Sequence, residues 1–180
     1  PSNFNNKLIN DSKQIKSAKK LKILSDYIKE HATDYHIQEI DENTIDTINI
    51  RKAIFKGMYC CFDKLMERND PTGEKTMLIV DGCDFIPYTL NNKIIPNVQI
   101  TGGDGKYMHI ACASILAKNA HNEYIMDLCA KHPLLVERYG TNTNKFYGTK
   151  KHIDGITRYG ISQFHRKSFT PCKNKIINNV

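Results

Sequence analysis

The stretch Thr76-Met77-Leu78-Ile79-Val80-Asp81-Gly82 is an apolar run that ends in a carboxylate and a glycine. A short continuous apolar run before a turn predicts a strand, over 76–80, that is buried on both faces in the middle of a sheet. In open α/β sheets, ligands bind beyond the carboxyl ends of the strands. Asp81 is therefore either a functional carboxylate at that edge or a solvated acid that begins a turn.

A second carboxylate, Asp104, lies in the glycine turn Gly102-Gly103-Asp104-Gly105-Lys106. This turn follows a short predicted strand over 97–101, which would bring both acids to one edge of the same sheet. Asp104 taken alone is better explained as part of an Asx turn or a helix entry. The spacing of a Walker A phosphate loop is absent from this turn.

Paired carboxylates suit Mg²⁺ or Mn²⁺, which are hard cations that prefer oxygen ligands. Two such ions can hydrolyse a phosphodiester, because they activate the attacking water and stabilise the leaving oxygen. Ions that share ligands in this way generally need three or four acids, so two carboxylates are too few. Asp84 is kept in reserve, whereas the other candidate acids lack a comparable context: Glu39, Asp41, Glu42 and Asp46.

Apolar residues at helical spacing predict helices over 17–31, 45–67, 108–132 and 149–159. Ser17 is a predicted N-cap, and Gly160 is predicted to follow the last helix. A short strand is predicted over 34–40, and a long loop contains Pro87 and Pro96. Strands separated by helices indicate an α/β layered fold, and 180 residues suffice for one such domain.

The net charge of +7 is concentrated at the C-terminus. From Lys145 to the C-terminus the sequence contains eight lysines and arginines and one acid, Asp154. A concentrated basic segment is typical of a polyanion partner such as nucleic acid, although a solvated surface gives the same pattern. Tyr147, within this segment, is either a residue that stacks on a base or sugar or a core tyrosine. Likewise, His165-Arg166 is either a phosphate contact or a surface pair.

Six cysteines lack Cys-x-x-Cys spacing, and no histidine lies at zinc-ligand spacing from a cysteine pair. We interpret them as reduced thiols. The sequence shows neither a signal peptide nor an apolar stretch long enough to span a bilayer. We therefore expect a soluble cytoplasmic protein, with no membrane partner.

Four stretches, in this order, resemble ribonuclease HII, the type 2 RNase H family, and Asn49-Ile50 also fits its pattern. They are Asn10-Asp11-Ser12-Lys13; Val80-Asp81-Gly82; Gly103-Asp104 leading into Ala113-Ser114-Ile115-Leu116-Ala117-Lys118; and Tyr147-Gly148-Thr149 with His152, ending in His165-Arg166-Lys167-Ser168-Phe169. The resemblance implies an RNase H-like layered α/β fold over 1–180, with a mixed sheet flanked by helices. It also implies that 133–180 form a helical, basic C-terminal extension.

The resemblance further implies a monomeric endonuclease that cleaves RNA in RNA–DNA hybrids and at ribonucleotides embedded in duplex DNA. By motif, Asp81 and Asp104 match two of the family's four metal-binding, catalytic acids, which hold two Mg²⁺ or Mn²⁺ ions. The positions that match substrate contacts are Lys13, Tyr147, His165, Arg166 and Ser168. Lys13 taken alone is better explained as part of a solvated loop. Tyr147 matches the tyrosine that packs on the sugar beside the ribonucleotide, where only the 2′-hydroxyl distinguishes RNA from DNA.

Three departures from the family pattern stand out. The family's first strand carries an Asp-Glu-x-Gly-Arg-Gly stretch with the other two acids, and only 1–9 precede Asn10 here. Phe146 replaces a glycine that usually precedes the tyrosine, and His121-Asn122 replaces Arg-Asp. We therefore expect a C-terminal portion of such an enzyme, with its first strands missing. The alternatives are an inactive nucleic-acid-binding remnant and a chain that does not fold stably alone.

Overall fold

The structure, a computed structural model, describes residues 9, 15 and 17–180. The stretch Asn10-Asp11-Ser12-Lys13, and with it the predicted substrate contact Lys13, lies outside the described residues. The chain divides into two compact units. The first unit comprises 1–39 and 55–120, and the second comprises 40–54 and 121–180.

The described residues form three helices, then four short strands, then four more helices, which fits the α/β class. The helices are α1 Ala18–His31, α2 Glu42–Ile48, α3 Ile50–Asn69, α4 Met108–Lys131, α5 Pro133–Tyr139, α6 Thr141–Asn144 and α7 Lys150–Tyr159. The strands are β1 Leu78–Asp81, β2 Thr89–Leu90, β3 Lys93–Ile94 and β4 Asn97–Ile100. No helix in this part of the chain is long and apolar enough to cross a membrane.

The predicted strands around the two acids are confirmed as β1 and β4, which pair in parallel. The predicted loop between them contains the antiparallel hairpin of β2 and β3. These are two separate two-stranded sheets, so the expected single mixed sheet is not found among the described residues. In the same residues β1 has a strand partner on one edge only, which differs from the predicted position in the middle of a sheet.

Two apolar clusters form the core of the first unit. One joins α1 to the start of α4 through Leu24, Ile28 and Ile115. The other covers β1 with α3, through Val80 and Phe55. The second cluster fixes β1 against a helix, and thereby fixes the strand end that carries Asp81.

The predicted strand over 34–40 is wrong, because these residues have no regular structure. The Asp34 carboxylate accepts hydrogen bonds from Arg68 and Asn69 at the end of α3. Arg68 also donates to the Tyr35 carbonyl, at 3.0 Å. A helix side chain therefore satisfies a backbone group that a neighbouring strand would otherwise bind.

The predicted helix over 45–67 is present as two helices, α2 and α3, with Asn49 between them. Asn49 has φ 68° and ψ 163°, a backbone conformation that L residues with a Cβ rarely adopt. Its side-chain oxygen accepts the Lys52 amide at 3.1 Å and so caps the start of α3. Helical periodicity continues through this position, which is why the sequence pattern alone missed the break.

The second unit packs α5 and α7 around a cluster that includes Leu135, Tyr139, Ile156 and Ile161. The last predicted helix is confirmed as α7, with Thr149 as its N-cap and Gly160, at φ 75°, after its end. Helices α5 and α6 lie where only a helical extension had been predicted. The assignment of 1–180 to a single domain, with 133–180 as an extension, stays a prediction.

The break at Asn49 generates a stability prediction. Asn49→Gly should raise the free energy of unfolding by about 1 kcal/mol, because relief of backbone strain outweighs the lost cap and the greater entropy of the unfolded glycine. Asn49→Ala should lower it by about 1 kcal/mol, because the cap is lost and the strain stays. Denaturant unfolding of the three proteins measures this order, and a glycine variant less stable than the alanine variant would contradict it.

Candidate active site

Asp81 occupies the carboxyl end of β1, and the pairing with β4 fixes its position. In the parallel register Asp81 lies opposite Ile100, and the Gly82 amide donates to the Ile100 carbonyl at 3.1 Å. The side chain of Asp81 is exposed, whereas Val80 beside it is buried. The strand thus alternates between core and solvent and presents the carboxylate outward at the sheet edge.

The turn after β4 brings Asp104 to the same edge. The Gly103 amide donates to Oδ1 of Asp81 at 2.9 Å, so the turn is bound directly to the first acid. Gly102 has φ 66°, which favours glycine, and a Cβ on Gly103 would collide with the Ile110 side chain. Asp104 follows in a single 3₁₀ turn, Gly103–Gly105, and is 6% exposed.

The donor set at this edge suits a hard divalent cation, because both groups are carboxylates. Asp81 and Asp104 are two ligands, however, and the residues that the structure describes contain no group of three His, Cys, Asp or Glu side chains able to hold a metal. The two carboxylates therefore fit part of a divalent-metal site. Asp84, the acid held in reserve, is exposed beyond the Gly82 turn.

Two of the other candidate acids, Asp41 and Asp46, have structural roles. Asp41 caps α2 by accepting the Thr44 amide at 2.6 Å. Asp46 accepts three hydrogen bonds from Lys167 and Ser168 in the second unit. Sequence reasoning gave Asp46 no role, since its partners are more than 120 residues away in the chain. Its position three residues before Asn49-Ile50, which fits the family pattern, was the available signal.

The substrate-contact candidates Tyr147, His165, Arg166 and Ser168 all belong to the second unit. Arg166 stacks on the Phe169 ring, with 4.0 Å from its guanidinium carbon to the ring centroid. Ser168 donates its hydroxyl hydrogen to Asp46 at 2.6 Å. Phe146, Gly148 and Arg166 line a cavity of about 120 Å³.

A buried hydrogen-bond chain fixes the tautomers of His152 and His165. The Ser162 amide donates to Nδ1 of His165 at 3.0 Å, so this nitrogen accepts and the proton of His165 lies on Nε2. That Nε2–H points at Nε2 of His152 at 3.0 Å, and Nδ1–H of His152 donates to the Tyr147 carbonyl, also at 3.0 Å. Every donor meets an acceptor when both rings are neutral.

Hydrogen bonds to the backbone of Tyr147 hold this residue in place, and its ring is exposed to solvent. Its carbonyl accepts from His152, and its amide donates to the Asn144 carbonyl at 2.8 Å. The side chain is 67% exposed, so the alternative that it is a core tyrosine is wrong. Its ring meets His121 edge to face, with 6.5 Å between centroids. An exposed ring on a fixed backbone is available to stack on a nucleotide.

The ribonuclease HII family model matches residues 2–172 of this chain. Curated proteins named ribonuclease HII are similar to it, and three of them illustrate the similarity. The protein from Parabacteroides distasonis is 37% identical over 170 residues, which are 94% of this chain and 78% of that protein. The proteins from Cytophaga hutchinsonii and Christiangramia forsetii are 36% and 37% identical, each over 94% of this chain and over 77% and 78% of their own lengths.

The chain belongs to the ribonuclease HII family. This confirms the resemblance that the four ordered stretches carry, and the α/β architecture fits the RNase H-like fold of the family. Family membership classes the chain with the type 2 ribonucleases H. The roles of individual residues are not tested by these matches and stay predictions.

One departure from the ribonuclease HII pattern has a structural explanation. Phe146 stands where the family usually has glycine, and its φ of 63° is a value that favours glycine. The ring compensates by packing edge-on against His165 and His152, with centroids 5.1 and 5.7 Å away. The Phe146 amide also donates to the Asn144 side chain at 3.0 Å. Aromatic packing on the histidine chain thus offsets the strain of the turn before Tyr147.

The histidine chain predicts a loss of stability in acid. Burial, and then repulsion from His152, lower the pKa of His165 to about 4, whereas the unfolded side chain titrates near 6.5. The unfolded state therefore binds the proton first, and stability falls as the pH drops from 6.5 to 4. The loss from His165 is about 3 kcal/mol, since each pKa unit corresponds to about 1.4 kcal/mol.

Denaturant unfolding at pH 7 and pH 4 measures this loss. His165→Gln removes the titrating group, so its free energy of unfolding should fall less between the two pH values than that of the unmodified protein. Identical losses for the two proteins would show that His165 is not the titrating group.

Proposed function

We propose that the protein hydrolyses phosphodiester bonds 5′ of ribonucleotides, in RNA–DNA hybrids and at ribonucleotides embedded in duplex DNA, and leaves a 3′-hydroxyl and a 5′-phosphate. The observation that carries this proposal is the hydrogen bond from the Gly103 amide to Asp81, which attaches the turn that carries Asp104 to the first acid in a ribonuclease HII chain. On family membership alone, the proposal extends to a cytoplasmic monomer that excises ribonucleotides during DNA replication and repair.

Asp81 and Asp104 would hold divalent Mg²⁺ or Mn²⁺ as carboxylate ligands. Bound ions of this kind supply an activated water and stabilise the leaving oxygen of a phosphodiester. Asp81 is exposed toward the site, whereas Asp104 is buried in a turn of glycines. The buried acid lies in the turn whose Gly103 amide donates to the exposed one.

Two carboxylates are fewer than two metals generally require, so we propose that further acids complete the site from a strand encoded upstream of Pro1. The support is the absence of an Asp-Glu-x-Gly-Arg-Gly stretch from the 180 residues. The three relatives named above are longer, and the match covers 77–78% of their lengths. An upstream reading frame without a strand bearing Asp-Glu near Gly-Arg-Gly would contradict this part of the proposal.

A second candidate function is nucleic-acid binding without cleavage by the 180-residue chain itself. The basic segment from Lys145 favours it, because phosphate contacts give salt-sensitive, sequence-independent affinity without any metal. A DNA duplex with one ribonucleotide, incubated with Mg²⁺ or Mn²⁺, separates the two functions. Turnover by the 180-residue chain alone would exclude the binding-only function.

Replacement of the two acids should separate cleavage from binding. We expect Asp81→Asn or Asp104→Asn, in the protein expressed from its complete reading frame, to abolish cleavage and to leave hybrid binding within about twofold, because each loses a metal ligand while backbone phosphate contacts remain. Gel-based cleavage and fluorescence anisotropy measure the two properties. Asp26→Asn, at an exposed acid on α1, is the matched control and should cleave normally; near-normal cleavage by either ligand variant would remove that acid from the site.

The exposed Tyr147 ring should contribute through stacking. Tyr147→Ala should raise KM about 10- to 100-fold, since stacking of a base on an aromatic ring contributes about 1–3 kcal/mol. Tyr147→Phe keeps the ring and should stay within about threefold of the unmodified enzyme. Steady-state kinetics on the single-ribonucleotide duplex compares the three proteins. Equal KM values for the alanine and phenylalanine variants would contradict a stacking role.

A further inference from the structure

Asp46 forms a three-point hydrogen-bond clamp on the tail His165-Arg166-Lys167-Ser168-Phe169. Its Oδ2 accepts the Lys167 amide at 2.7 Å, and its Oδ1 accepts the Ser168 amide at 2.9 Å and the Ser168 hydroxyl at 2.6 Å. Bonds to an ionised acceptor are among the stronger hydrogen bonds in proteins. One carboxylate thereby fixes two successive peptide units of the tail.

The helix α2 contributes little to the apolar core. Ile45 and Ile48 are half-buried, none of its residues is fully buried, and the helix is only seven residues long. Asp41 caps its start, and the unusual conformation of Asn49 ends it one turn after Asp46. Both ends of α2 are therefore defined, and this short helix holds the Asp46 carboxylate where it accepts hydrogen bonds from the tail.

The clamped turn presents Arg166. The Phe169 amide donates to the Arg166 carbonyl at 3.2 Å, and the Phe169 ring lies under the Arg166 guanidinium. On the other side of Arg166, His165 is 2% exposed and locked into the histidine chain. Arg166 is thus held between two anchored segments, with its guanidinium stacked and only partly covered.

Ser168 has a different role from the one its motif predicts. Its hydroxyl and its amide both donate to Asp46, so these donors already have an acceptor. Two successive amides with a hydroxyl form an anion-binding arrangement, and the Asp46 carboxylate fills it. Burial raises the pKa of Asp46, but the hydrogen bonds from Ser168 and Lys167 outweigh it and leave the pKa below its ordinary value.

We infer that Asp46 and Ser168 are positioning residues, which together hold Arg166 in place for a phosphate of the substrate backbone. The inference rests on the proposed function, because Arg166 is a substrate contact only if the protein binds a ribonucleotide-containing duplex. It assigns Ser168 to the clamp rather than to direct contact with the substrate.

The test uses the protein expressed from its complete reading frame and the single-ribonucleotide duplex. Binding is measured in Ca²⁺ over a range of salt concentrations, and cleavage is measured in Mg²⁺. The variants are Asp46→Ala, Asp46→Asn and Ser168→Ala. Glu42→Ala, on the same helix, is the matched control because it removes the same charge. Circular dichroism melts confirm that each variant is folded.

Asp46→Ala should raise Kd and KM about tenfold and leave kcat within about twofold, because it frees the tail without touching the metal ligands. The slope of log Kd against log salt concentration should decrease by about 0.9, because each phosphate contact contributes about 0.9 to this slope. Removal of a negative charge by itself would tighten binding to a polyanion. Weaker binding by Asp46→Ala would therefore show that the effect comes from the position of the tail and not from charge.

Asp46→Asn keeps one acceptor oxygen and should recover part of the affinity. Ser168→Ala should show a smaller loss, and Glu42→Ala none.

Unchanged or tighter binding by Asp46→Ala, with an unchanged salt slope, would overturn the inference while leaving the proposed function intact. An unmodified protein that binds the duplex without cutting it would overturn the proposed function; the salt slopes would still decide the inference. An unmodified protein that does not bind the duplex would overturn both.

Discussion

The hydrogen bond from the Gly103 amide to the Asp81 carboxylate is the interaction on which the candidate active site depends. It exists only because β1 and β4 pair in parallel with Asp81 opposite Ile100. A slip of one residue in this register would turn the Asp81 side chain to the other face of the sheet. The glycines of the turn are required for the same contact, since Gly102 adopts a left-handed conformation and Ile110 fills the space beside Gly103.

The second unit positions its candidate residues by a related physical device. Polar side chains bind the backbone of the segments that carry exposed functional groups: His152 binds the Tyr147 carbonyl, and Asp46 binds the Lys167 and Ser168 amides. The side chains of Tyr147 and Arg166 then remain available, because the hydrogen bonds that hold them involve main-chain atoms. Such anchoring fixes position without covering the surface that a substrate would contact.

The sequence predicted the parts of the fold that local patterns determine. The apolar run before Asp81 and the helical periodicity of α1, α4 and α7 identify their elements to within about two residues. The prediction of a strand over 34–40 was wrong, because alternating apolar residues do not show whether a partner strand exists. Arg68 binds this segment instead. The prediction of one continuous helix missed the break at Asn49, because a single backbone conformation interrupts an otherwise continuous helical pattern. The hydrogen bonds of Asp46 could not be predicted, because they join residues 121 positions apart and no local sequence pattern contains that information.

The central claim is that the β1–β4 edge unites Asp81 and Asp104 as ligands of a divalent metal. Anomalous diffraction from crystals of the protein with its complete reading frame, soaked in Mn²⁺, tests it most directly. The account predicts a Mn²⁺ peak bonded to carboxylate oxygens of both Asp81 and Asp104. Saturating Mn²⁺ with no peak at either acid, or a peak held by other residues alone, would contradict it.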